Sequence, residues 1–184
     1  MRSPTKVSAL DSQHVEHVAA GNWHSTAIDS EGKCWQWGTG WKGTFGIQGQ
    51  HFFSYPVENT QVSELCATML SDGVRVSKLK SVNNCTMVMF DNGEVYGWGN
   101  NEEGILANNH IRGIFSRLGT IKICQIEYIF ATGYYAPTKI HGSYTGKVVD
   151  FDISTNLFVM MTGTVPQIPR IKIFRRWTGL LCWL

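Results

Sequence analysis

Gly38-Thr39-Gly40-Trp41-Lys42-Gly43 spells G-x-G-x-x-G, the pattern whose backbone amides cradle a pyrophosphate. That chemistry needs a helix to open at the last glycine, so that its N-terminal amides meet the anion. Here Gly46 and Gly49 follow with no helical periodicity, and the stretch reads as a turn at a strand end. His14, His17 and His24 offer imidazoles to a metal, but strand geometry puts the first two on opposite faces and no fourth ligand is near in sequence. Asp150 and Asp152 share one side of a strand and read as a solvated face, not an acid–base pair. The cysteines at 34, 66, 85, 124 and 182 are odd in number and form no C-x-x-C, which suits reduced, unreactive thiols. No nucleophile elbow, Walker loop or paired-carboxylate motif is present. The expectation is no intrinsic catalysis, no metal and no cofactor.

The elements that hold these residues follow from composition. The chain has 184 residues, one domain's worth, of which 43% are apolar and 16% charged, excluding wholesale disorder. Sixteen Lys+Arg against fourteen Asp+Glu leaves +2, too little to argue for nucleic acid or a membrane. No apolar run approaches the ~18 residues of a membrane span, nor does the start resemble a signal peptide. An intracellular protein, in cytoplasm or nucleus, is expected. Nineteen glycines and seven tryptophans suit short strands joined by tight turns.

Self-similarity organises the rest. Residues 15–46 laid over 76–107, at an offset of 61 without gaps, match Val15 to Val76, Asn22 to Asn83 and Gly32 to Gly93. Trp37-Gly38 meets Trp98-Gly99, and Gly43 meets Gly104. Each unit reads strand, turn, strand, turn: Ser25–Ile28 and Thr86–Met89 are strand-length apolar segments, and Gly32 and Gly93 close the hairpin turns. In the following strands Trp35 and Trp37 share a face, as do Tyr96 and Trp98.

The first unit, from Val18-Ala19-Ala20-Gly21-Asn22-Trp23-His24-Ser25 through Gly32-Lys33-Cys34-Trp35-Gln36-Trp37-Gly38 to Gly43-Thr44-Phe45-Gly46, resembles the repeats of the regulator of chromosome condensation. The second keeps Gly93-Glu94-Val95-Tyr96-Gly97-Trp98-Gly99 but carries Val82 and Cys85 where the motif has Gly and His. The resemblance implies an all-β fold of four-stranded propeller blades, in which Gly21, His24, Gly32, Trp37, Gly38, Gly43, Gly93, Trp98, Gly99 and Gly104 are structural positions. For the family's founding member it implies guanine-nucleotide exchange on the small GTPase Ran. For others it implies a binding scaffold.

The expected organisation is a leader (1–14), repeat 1 (15–75), repeat 2 (76–145) with an inserted loop at 108–136, a partial repeat 3 (146–165) and a non-family tail (166–184). The third unit stops short of its aromatic-x-Trp-Gly, and Pro166 and Pro169 stand where its next strand is due. Two and a half units cannot close the seven-bladed ring that the resemblance implies, so bare blade faces would forfeit roughly 5–10 kcal/mol at ~25 cal/mol per Å². A fragment of a larger propeller, or one completed by another chain, is therefore expected. Arg112, Phe115, Arg117, Tyr134 and Tyr135 of the insertion are candidate partner contacts, because rigid blades hold rim loops in place. The partner is expected to be a protein, with a small GTPase as the alternative to a general scaffold role.

Overall fold

Short apolar segments bounded by glycine turns form the strands, and the turns set their antiparallel order. The computed structural model describes residues 3–41, 43–46 and 50–100, and beyond these the strands at 111–112, 129–130, 134–139, 147–154, 157–163, 170–177 and 180–182. Past residue 100, side chains are described at 139 and 147–153.

Sheet 1 contains β1 (Val15–Ala20), β2 (His24–Asp29), β3 (Cys34–Thr39) and β4 (Phe52–Glu58) in that order. After helix α1 (Thr60–Ser71), sheet 2 forms from β5 (Val76–Val82), β6 (Cys85–Phe90) and β7 (Val95–Gly99). The strands β8 (Ile111–Arg112) and β9 (Ile129–Phe130) pair with each other, and β10 (Tyr134–Lys139) then joins β7 as the fourth strand of sheet 2. Sheet 3 runs β11 (Lys147–Ser154), β12 (Leu157–Gly163), β13 (Arg170–Trp177) and β14 (Leu180–Cys182). Three antiparallel sheets of the same order make an incomplete β-propeller.

The twin sheets agree in detail. Ser25 lies opposite Trp37 and Thr86 opposite Trp98, while the β1–β2 bulge at Val15/His17 recurs in β5–β6 at Val76/Lys78. Gln36 and Gly38 face Val57 and Phe53 across a bulge, just as Gly97 and Gly99 face Thr138 and Tyr134. Pro56 and Pro137 sit inside those bulges on edge strands, where no ladder donor is needed.

Two expectations are corrected. Tyr134 and Tyr135 are not loop residues but open strand β10, with Tyr134 at the register position of Phe53. The tail from 166 is not outside the propeller pattern, since β13 and β14 complete sheet 3. By register, Phe174 holds the place of Trp98 and Arg175 that of Gly99. The tail's marker residues have changed while its pairing has not, and β13 begins directly after Pro169.

Helix α1 was not anticipated. Val62, Leu65, Cys66, Met69 and Leu70 recur at helical spacing, Asn59 caps the first turn by accepting from the Val62 amide (3.2 Å), and Gly73 (φ 76°) follows the last turn. Its buried side packs with Ile28 and Cys34 of sheet 1 and with Leu79, Val88, Phe90 and Trp98 of sheet 2.

Candidate functional site

The repeat glycines act by close approach. Gly38 and Gly99 have φ of 103° and 106°, a region that disfavours side chains, and a Cβ there would fall on the carbonyls of Trp23 and Asn84. A Cβ on Gly21 would collide with the His24 ring, and Gly32 lies against Cys66 of α1. Gly43 sits in the turn after Trp41, and Gly93 lies against Lys147 and Val148 of sheet 3. Gly104, Phe115 and Arg117 fall outside the described residues, and Arg112 is on β8. Among the described residues no helix opens at Gly43, where 43–45 form a turn, so the G-x-G-x-x-G stretch shows no helix N-terminus to offer a pyrophosphate.

His24 binds the first two sheets together. Its Nε2 lies 3.0 Å from Thr86 Oγ1, which also meets Ser81 Oγ at 2.9 Å. Asn22 donates from its amide to the Asn83 carbonyl (3.1 Å) and from Nδ2 to Asn83 Oδ1 (2.9 Å). Thr44 Oγ1 donates to the Asn84 carbonyl at 3.1 Å. Burial pulls the His24 pKa down to about 4, with the Asn83 backbone opposing more weakly, so the ring is neutral at pH 7. Behind it, Gln36 donates to Thr26 Oγ1 and the Thr44 carbonyl (both 3.1 Å) and accepts from Asn59 Nδ2 at 2.7 Å. The buried amides of Gln36 and Asn59 are thus paired with each other and with sheet 1, which gives the seam direction as well as cohesion.

The second seam uses charge. Lys78 Nζ lies 2.5 Å from Asp150 Oδ1 and 2.7 Å from the Phe151 carbonyl, over the Phe151 ring at 5.5 Å, while Lys80 reaches Asp152 at 3.5 Å. The two aspartates thus partly neutralise the lysines of the adjoining sheet. Burial raises the Cys34 thiol well above its ordinary value and takes Cys66 and Cys85 to about 12, so none is a ready nucleophile. Among the described residues no three His, Cys, Asp or Glu gather as metal ligands. Nor is any described helix long and apolar enough to cross a membrane.

One rim of sheet 1 is aromatic. The β1–β2 turn and the segment after β3 adjoin, the Thr39 amide donating to the Trp23 carbonyl at 2.7 Å. They present Trp23, 72% exposed, and Trp41, 56% exposed, the latter stacked on His51 with centroids 5.3 Å apart. Phe52 and Tyr55 of β4 are exposed as well. The motif spacing gave no hint of this cluster, since an exposed and a buried tryptophan look alike in one sequence.

No family model matches the chain. It is 30% identical to Alsin of Rattus norvegicus over 101 residues, 53% of this chain and 6% of Alsin. It is 29% identical to the guanine nucleotide exchange factor SRM1 of Saccharomyces cerevisiae over 118 residues, 52% of this chain and 24% of SRM1. The crystal structure of Prp20p from Saccharomyces cerevisiae, described with its binding to Gsp1p and histones, superposes with a TM-score of 0.57 at 20% identity, over 91% of this chain and 33% of that one. The units are similar to regulator of chromosome condensation repeats. The chain spans a quarter or less of these curated relatives' lengths. Within these repeats Cys85 replaces the motif histidine in the second copy, so the imidazole bond of the first seam is not repeated at the second.

Proposed function

We propose that the chain is a protein-interaction scaffold, part of a larger intracellular propeller, that meets its partner through the aromatic rim of sheet 1. The observation that carries this reading is the exposure of Trp23 and of Trp41 on two segments joined by the Thr39–Trp23 backbone bond. Tryptophans on a rigid support supply much contact area at little entropy loss, which is why they dominate interface energetics. Trp23 is replaced by Asn84 in the second repeat, so the feature marks one blade. Arg112, Phe115 and Arg117 of the inserted segment are further candidate contacts.

A second reading, guanine-nucleotide exchange on a Ran-like small GTPase, is favoured by the likeness to SRM1. Purified Gsp1p separates the two. A scaffold retains it irrespective of bound nucleotide, and the Trp23→Ala/Trp41→Ala double variant weakens retention by at least tenfold with an unchanged melting temperature. An exchange factor speeds release of labelled GDP, and release at the intrinsic rate would remove that reading. Unaltered retention by the double variant would remove the rim from the proposal.

A further inference from the structure

The hairpin turns of the first two sheets share their backbone bonds and differ in one side-chain acceptor. The Gly32 amide donates to the Asp29 carbonyl at 3.0 Å, and the Gly93 amide to the Phe90 carbonyl at 2.9 Å. In the first turn the buried Asp29 carboxylate also accepts from the Glu31 and Lys33 amides, at 3.0 and 2.9 Å. Phe90 stands at the position of Asp29, and its ring cannot take those bonds. The Glu94 amide, which corresponds to that of Lys33, donates instead to Asn92 Oδ1 at 2.9 Å. This bond curls the exposed Asn92 side chain into an Asx turn around the Gly93 nitrogen. Asn92-Gly93 is the sole Asn-Gly pair in the sequence. A Cβ on Gly93 (φ 87°) would fall on Lys147 Cγ and the Val148 backbone, so the packing keeps that nitrogen without a side chain to shield it.

We infer that Asn92 is a self-modifying site, at which the Gly93 backbone nitrogen displaces the side-chain amide and the product loosens the second seam. Attack of that nitrogen on Asn92 Cγ forms the C–N bond of a cyclic imide. Negative charge develops on Oδ1, where the Glu94 amide already donates. Collapse breaks the Cγ–Nδ2 bond, and ammonia leaves with the proton that Gly93 gives up. Water then opens the imide at either carbonyl: its oxygen enters a new carboxylate, the ring nitrogen recovers a proton, and the other proton goes to solvent. Opening at Cγ leaves aspartate. Opening at the main-chain carbonyl leaves isoaspartate, whose backbone runs through Cβ and Cγ and is one carbon longer. The Gly93 amide has to leave the Phe90 carbonyl before it attacks, so opening of the turn sets the pace. A turn lengthened there cannot hold Gly93 against Lys147 and Val148, where β11 begins. The site lies in sheet 2 and is independent of the rim tryptophans.

Heavy-oxygen water reads the step directly, since each opened imide takes up one solvent oxygen. In the full chain at mildly alkaline pH, peptide mass mapping should find label at residue 92 about tenfold sooner than at Asn22, Asn59, Asn83 or Asn84. Asn92→Gln should take up none there over the same period. Glu31→Asn builds the same pair in the first turn, where Asp29 already holds the Lys33 amide. Residue 31 should therefore convert about tenfold more slowly than residue 92 in the folded chain, and at a similar rate in urea. No label at residue 92, or equal rates at the two turns before unfolding, would overturn the inference. A difference that persists in urea would assign it to sequence alone and do the same. Hydrogen exchange at β11 amides should be a few-fold faster in the isoaspartyl fraction than in Asn92→Asp, which gains the charge without the extra carbon. Equal protection would refute the loosening of the seam.

Discussion

Trp37 and Trp98 occupy one position in two copies of a motif, face the same cross-strand partner type and precede the same left-handed glycine. Trp98 is fully buried, whereas Trp37 remains partly exposed. The difference lies in what stands in front: sheet 1 and helix α1 cover Trp98, and no described sheet covers Trp37. A repeat thus specifies where a side chain points, while its energetic weight depends on the neighbouring repeat.

The sharpest way to break the comparison is to remove each ring. Trp98→Ala should destabilise the chain by about 3–5 kcal/mol, because it opens a cavity in the inter-sheet core. Trp37→Ala should remove only about 1–2 kcal/mol, since part of that ring already meets water. Urea unfolding of the two variants checks this. Equal losses would mean that the Trp37 face is covered in solution.

The same comparison shows what the sequence could reveal. Strands around residues 24–39 and 85–99 were legible because turns need glycine and the packed face needs an aromatic, so backbone constraint leaves a mark at fixed spacing. Helix α1 carried an equally physical mark, the 62, 65, 66, 69, 70 stripe behind Asn59, which an all-β frame passed over. Strand β13 was hidden differently: pairing with β12 needs only backbone groups, so Lys172, Phe174 and Arg175 can replace the aromatic-x-Trp-Gly without losing the register. The His24–Thr86 and Gln36–Asn59 bonds join residues 62 and 23 positions apart, and no local spacing announces such pairs.

Acid probes the first seam more than the second. The His24 pKa falls from 6.5 in the unfolded chain to about 4 in the fold, so folding favours the neutral ring. Its contribution is complete above pH 6.5 and is lost as pH falls through the folded value near 4, about 3 kcal/mol in all. Asp150 and Glu94 are held below the usual carboxylate range by hydrogen bonds from Lys78 and Lys139, so their contributions disappear only at lower pH. Stability measured by urea between pH 7 and pH 4 should therefore decline steeply for the parent and much less for His24→Gln, which starts lower. Parallel curves would mean that the ring is solvated in the folded chain.

Salt should separate the seams in the opposite sense, with the smallest effect. Lys80, half-exposed, and Asp152, largely exposed, are 3.5 Å apart, so Lys80→Ala should change stability by no more than about 0.5 kcal/mol. Lys78 also bonds the Phe151 carbonyl and covers its ring, and Lys78→Ala should remove about 1 kcal/mol. Raising salt from ~0.05 to ~1 M shortens the Debye length to about 3 Å and screens these partly exposed pairs. The bond between neutral His24 and Thr86 has no net charge to screen. Hydrogen exchange at β11 amides should accelerate a few-fold in high salt, while β6 amides behind the first seam hold their protection. Equal acceleration would mean that sheet 3 and sheet 1 grip sheet 2 by the same forces, and the distinction between a neutral and a charged seam would then carry no energetic meaning.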